Sequence, residues 1–107
     1  MESVTTDLPS MDAAAMEAAA QEAAVVLKSL SNPQRLLLLC AMVEGDKSVG
    51  ELEQALGATQ SYVSNQLARL RKEGLVEATR HGRSIRYQLA DPRVTPILER
   101  LYEVFCR

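Results

Sequence analysis

Between Gln60 and Lys72 the chain sets out side chains suited to reading a nucleic acid. Gln60, Ser61, Ser64 and Asn65 are short groups that donate and accept hydrogen bonds, and Arg69 and Lys72 follow them. Val63, Leu67 and Leu70 recur at i, i+4 and i+7, so a helix would bury them and turn Ser61, Ser64, Asn65, Ala68 and Lys72 outward. Amide side chains match adenine edges in the major groove, and hydroxyls read bases less selectively. Cations farther along the same helix meet phosphates. Three more arginines follow, Arg80, Arg83 and Arg86. Arg83 falls at the tip of a turn, where it can enter a narrow minor groove. For Arg80 and Arg86 a plainer role competes, pairing across a strand with Glu77.

Two thiols, Cys40 and Cys106, are the other groups with chemistry of their own. A cysteine acts as nucleophile through its thiolate. In a reducing compartment the pair stays reduced, and any bridge is transient and redox-linked. Cys40 follows four leucines and reads equally well as a small apolar residue facing or bordering the core, on a stripe with Leu36, Leu37 and Val43 or Glu44. Cys106 stands at the end of a helix, and the dipole there raises a thiol's pKa, which Arg107 opposes. It is expected to be the more exposed of the two. The single histidine, His81, reads as a turn residue. Transition-metal sites want thiolate and imidazole at fixed spacing, so no metal and no cofactor is expected. No nucleophile, base and orienting group assemble, so an enzyme is not expected either.

Charge is distributed along the 107 residues in a way that its net value of −2 conceals. Residues 1–57 hold three basic and nine acidic side chains, and residues 58–88 hold six basic and two acidic. The basic block coincides with the candidate reading helix, as a polyanion partner requires. A protein-interaction module that never touches DNA remains the competing class, and salt-dependent DNA binding discriminates it. No basic leader precedes an apolar run, and no apolar run approaches a membrane span. A cytoplasmic protein without a membrane partner is expected.

The elements that must position these groups are legible from their punctuation. Residues 1–12 read as a disordered segment, and residues 13–107 as one winged helix-turn-helix domain for DNA binding and dimerisation. Asp12 caps an Ala-rich helix over 13–30, whose small residues permit close approach to a partner helix. Ser31 or Asn32 caps a second helix opening at Pro33 and ending near Glu44-Gly45-Asp46. Ser48 with Glu51 makes a capping box for a third, ended by Gly57. Thr59 caps the fourth, which stops at Gly74. Two alternating segments follow, Leu75 to Arg80 and Ser84 to Leu89, joined at His81-Gly82 as a two-stranded wing; Ile85, Tyr87 and Leu89 share one face. Asp91-Pro92 opens a last helix whose stripe, Val94, Ile97, Leu98, Leu101, Tyr102 and Phe105, is too apolar to stand alone. The expected fold is mainly α, with about five helices plus the wing, paired through its first and last helices into a two-fold homodimer. Such a dimer fits an inverted-repeat operator with half-sites ~34–36 Å apart.

The run LSNPQRLLLL, followed by SVGELEQALGATQSYVSNQLARLRKEGLVEATRHGRSIRYQLAD, resembles the ArsR/SmtB family of bacterial repressors from about Leu27 to Arg107. That resemblance implies a dimeric winged-helix repressor. It departs from the metal-sensing members, because the third helix lacks cysteine and the last lacks histidine. A thiol in the second helix and one in the last resembles instead the sulfide- and persulfide-responsive branch. The branch implies that reactive sulfur species bridge Cys40 and Cys106 within one chain, by a disulfide or polysulfide, weakening DNA binding and releasing sulfide-metabolism genes. A thiophilic metal or a general oxidant remains the alternative inducer.

Overall fold

Side-chain caps set where the helices begin. In the computed structural model, which describes residues 12–106, the Asp12 carboxylate accepts from the Ala15 amide at 2.7 Å and opens α1, Ala13–Leu30. The expected disordered segment lies outside the described residues apart from Asp12. Asn32, of the two candidate caps, accepts from the amides of Gln34 and Arg35 at 2.9 and 3.1 Å and opens α2, Pro33–Cys40. The capping box at α3, Val49–Leu56, is complete: Ser48 Oγ accepts from the Glu51 amide, and Glu51 accepts from the Ser48 amide. Thr59 accepts from the Tyr62 amide and opens α4, Gln60–Lys72. Each such cap satisfies amides the helix leaves orphaned, a contribution of about 1 kcal/mol.

Gly57, at φ 63, ends α3 in the left-handed region and lets the chain turn into α4 within three residues. That is the helix-turn-helix. A hairpin follows, β2 Val76–His81 and β3 Ser84–Leu89, with register from Val76 opposite Leu89 to His81 opposite Ser84. Its two-residue turn is Gly82-Arg83, one residue beyond the expected His81-Gly82. Gly82 supplies the positive φ, 65, that a tight hairpin turn needs at its first central position. The sheet gains a third strand that the sequence does not signal, β1 Lys47–Ser48, antiparallel to β3 in the order β1-β3-β2. The last helix, α5, runs Val94–Cys106.

One apolar core joins these elements. It comprises Val26 and Leu30 of α1, Leu38, Leu39 and Met42 in and after α2, Leu52 of α3, Val63, Leu67 and Leu70 of α4, Leu75 and Val76, and Val94 and Leu98 of α5. The α4 stripe is the one its spacing predicts. The α2 stripe is not. Leu38 and Leu39 are fully buried, whereas Leu37 is 55% exposed and Cys40 lies on the surface. Four consecutive leucines leave the phase of a helix undetermined, and Arg35, drawn inward to a partner on α4, fixes it. Tyr87 and Leu89 pack on the core, but Ile85 is exposed, because the wing tip extends past the core's edge. Most of α1 before Val26 is exposed, and so are Tyr102, Val104 and Phe105 at the end of α5. Among the described residues no helix is long and apolar enough to cross a membrane.

Candidate nucleic-acid interface and dithiol

Burying Val63, Leu67 and Leu70 forces the opposite face of α4 into solvent. Gln60, Ser61, Ser64 and Asn65 are all exposed near its N-terminal end, and Arg69 and Lys72 are exposed toward its C-terminal end. Arg71, which the spacing did not single out, is exposed beside them. The cations of this last turn also oppose the partial negative charge of the helix C-terminus. The face therefore offers hydrogen-bonding groups where a helix enters a groove and positive charge where it crosses the backbone.

The wing arginines divide. Arg80 on β2 and Arg83 in the turn are exposed. Arg86 is half-buried and engaged elsewhere. Its guanidinium donates to the Asp46 backbone oxygen at 3.1 Å and to Asp46 Oδ1 at 3.2 Å, and lies 3.1 Å from Glu51. The competing partner named by the sequence, Glu77, instead accepts from Gln88. Arg86 thus ties β3 to the start of α3 and contributes its charge to the fold. His81 is the last residue of β2, next to the turn, and is exposed.

Cys40 ends α2 where that helix packs on α5, and Cys106, the last residue of α5, is near enough for its charge to act on the Cys40 thiol. Both are free and exposed. Burial, and second the nearby Cys106 charge, push the Cys40 thiol above its usual value of 9.0. Cys40 therefore holds its proton near neutrality. Beside it runs a groove of about 910 Å³, lined by Cys40, Val43, Glu44, Lys47, Leu98, Tyr102 and Glu103 among others. No group of three or more His, Cys, Asp and Glu side chains suited to a metal occurs among the described residues.

A further ionic cluster went unseen in the sequence. Arg35 of α2 forms a two-pronged pair with Glu73, the C-cap of α4, through Nη1–Oε1 at 3.0 Å and Nη2–Oε2 at 2.7 Å. Arg35 Nη1 also donates to the Ser29 carbonyl oxygen at 2.9 Å. The fork holds the Glu73 carboxyl below the usual carboxylate range. Thirty-eight positions separate the partners, so no local spacing could reveal them.

Residues 32–78 match the family described as bacterial regulatory protein, arsR family. The chain is 46% identical over 83 residues to the biofilm growth-associated repressor of Xylella fastidiosa, across 78% of this chain and 73% of that protein. It is 41% identical over 99 residues to the biofilm growth-associated repressor of Agrobacterium fabrum, across 92% of this chain and 80% of that protein. The solved structure of the transcriptional repressor BigR from Xylella fastidiosa matches with a TM-score of 0.82 at 44% identity, covering 91% of this chain and 99% of that one.

Proposed function

This chain belongs to the ArsR family of bacterial regulatory proteins, and we propose that it is a homodimeric repressor released from its operator when reactive sulfur species bridge Cys40 and Cys106. That it is a DNA-binding transcriptional repressor and not an enzyme follows from the family. The sulfur-sensing part is supported by one observation, two exposed thiols ending α2 and α5, close enough for their charges to interact, with Cys40 lining an open groove.

The chemistry follows from the thiols' settings. The Cys106 thiolate attacks the sulfane sulfur of a hydropersulfide, RSSH. The donor's S–S bond breaks, RS⁻ leaves and takes a proton as RSH, and Cys106 carries the persulfide. The Cys40 thiolate then attacks the sulfur attached to Cys106 and displaces HS⁻. Two thiols and one RSSH thus yield a disulfide, RSH and H₂S, with the donor's sulfane sulfur as the oxidant. Each further RSSH consumed inserts one more sulfur and releases one more RSH. A direct disulfide needs Cα atoms within about 7 Å, and inserted sulfur relaxes that demand. A pair held slightly too far apart for a direct disulfide would favour sulfur donors over peroxide.

For the reading head, Gln60, Ser61, Ser64 and Asn65 meet base edges, Arg69 and Lys72 meet phosphates, and Arg80 and Arg83 reach the DNA from the wing. Arg86 acts as a brace. Residues 13–107 form the DNA-binding and dimerisation unit. The apolar surface of α1 and α5, with Val25 69% and Phe105 77% exposed, supports pairing of two copies through those helices.

The test is intact-mass and peptide mass spectrometry after separate exposure to glutathione hydropersulfide, glutathione disulfide and hydrogen peroxide. The expected product is a Cys40–Cys106 link within one chain, carrying extra sulfur, from the hydropersulfide alone. A link between chains, or equal bridging by peroxide, overturns the sulfur-specific reading. Operator release by zinc or arsenite in a Cys40→Ser, Cys106→Ser double variant overturns the expectation that no metal acts as inducer.

A further inference from the structure

The dithiol and the reading helix are joined by α2, whose two ends serve different purposes. Its last residue is Cys40 and its third is Arg35, about 7.5 Å apart along the axis at 1.5 Å per residue. Leu38 and Leu39 are fully buried between them, and Asn32 fixes the first turn through the Gln34 and Arg35 amides. A helix of two turns held this way moves as one piece. Whatever pulls on Cys40 also moves Arg35.

The Arg35 side chain is only 15% exposed and its partner Glu73 41%. It grips the reading helix at the residue where that helix ends, while its second contact, the Ser29 oxygen, belongs to α1. Three elements therefore converge on one guanidinium. Glu73 lies about 18 Å along the helix axis from Ser61. The buried stripe of Val63, Leu67 and Leu70 lies between the two ends. A small displacement at Glu73 tilts the helix about that stripe and displaces Ser61, Ser64 and Asn65 at the far end. Arg–carboxylate forks depend on planar, two-point alignment, so they are made or lost rather than stretched. In the free-thiol form the fork is closed.

We propose that the Arg35–Glu73 fork is the relay between the thiol seam and the reading helix: bridging Cys40 to Cys106 shifts α2, opens the fork, and frees the C-terminal end of α4 from its DNA-competent position. This rests on the thiol-switch reading above. Arg35 and Glu73 are positioning residues. They touch neither the sulfur donor nor DNA, and they act on affinity through the placement of α4.

A relay has a signature that a merely stabilising ion pair lacks, because opening it beforehand removes the effect of the bridge. The experiment is a double-mutant cycle on the full-length protein, with the sulfur bridge as one perturbation and Arg35→Lys or Glu73→Gln as the other. Arg35→Lys keeps the charge and loses the fork; Glu73→Gln keeps the shape and loses the charge. The DNA is a duplex selected by the protein from a random pool, and the donor is glutathione hydropersulfide, with bridging confirmed by mass. The wild type should lose affinity by roughly 5–150-fold on bridging. Each reduced variant should already bind within about threefold of the bridged wild type, and bridging should change it by less than about twofold. Variants that retain the wild-type ratio, or that bind far more weakly than the bridged wild type, overturn the relay and leave the thiol switch standing. A wild type that bridges without losing affinity overturns the switch itself, and the relay with it.

Discussion

The reading head and the thiol seam lie in one small domain and are built on opposite terms. In the head, the polar face of α4 is set mainly by neighbours a few residues away. Ser48 and Glu51 start α3, Gly57 turns the chain, Thr59 starts α4, and a stripe at helical spacing leaves the polar face outward. At the seam, the groups that matter are brought near one another only through tertiary packing: Cys40 near Cys106, and Arg35 paired with Glu73. The face of the head is set locally, and only its tilt is open to a distant partner. The seam is a joint between helices, where a covalent link would change how they sit, as the proposed switch requires.

The widest separation between the regions should appear in stability. Leu67 is 1% exposed at the centre of the core, whereas Phe105 is 77% exposed on α5. Leu67→Ala should cost about 2–5 kcal/mol in denaturant unfolding, through lost burial and an unfilled cavity. Phe105→Ala should leave protomer packing intact and raise the dimer dissociation constant, read by sedimentation. Equal losses of unfolding free energy from both, with unchanged dissociation, would break the distinction between a core and an interface helix.

Within the head, Asn65→Ala should lower operator affinity by about 1–3 kcal/mol and leave binding to random duplex DNA nearly unchanged. Anisotropy titrations on the two duplexes check this, and equal losses on both would remove Asn65 from the base-reading set. At the seam the corresponding lever is pH. Burial and Cys106 raise the Cys40 pKa above 9.0, so the thiolate that closes the bridge is scarce at pH 7. Closure measured by mass from a Cys106 persulfide should quicken by about tenfold between pH 7 and 8 and continue to rise toward pH 9. A flat profile would mean that Cys40 is not the closing nucleophile. A smaller effect is expected for Arg83→Ala or Lys72→Ala, which should weaken binding to both duplexes and reduce the salt slope by about one unit.

How much the sequence discloses follows the same division. Helix starts at Asp12, Ser48 and Thr59, the turn at Gly57 and the buried stripe of α4 are local in origin, and the structure has them where the spacing puts them; the wing hairpin is local too, with its turn one residue beyond the expected place. The buried face of α2 was misread, because Leu36 to Leu39 offer no periodicity and a distant glutamate settles the rotation through Arg35. The strand at Lys47–Ser48 escaped notice, since two residues carry no alternation and β3 alone makes them a strand. Arg86 looked like a wing cation, but Asp46 and Glu51, far from it in sequence, hold it. The pairing of Cys40 with Cys106 came from a family resemblance. Nothing in the spacing of two residues so far apart announces it.

The most direct measurement is an anisotropy titration of the selected operator duplex with fully reduced protein and with protein whose Cys40–Cys106 link has been verified by mass. The same pair of titrations is run on Cys40→Ser and Cys106→Ser. The wild type should bind roughly 5–150-fold more weakly once linked, and each serine variant should bind like the reduced wild type before and after glutathione hydropersulfide treatment. Undiminished binding by the linked wild type, or release of either single variant by the donor, would contradict a switch made of these two thiols.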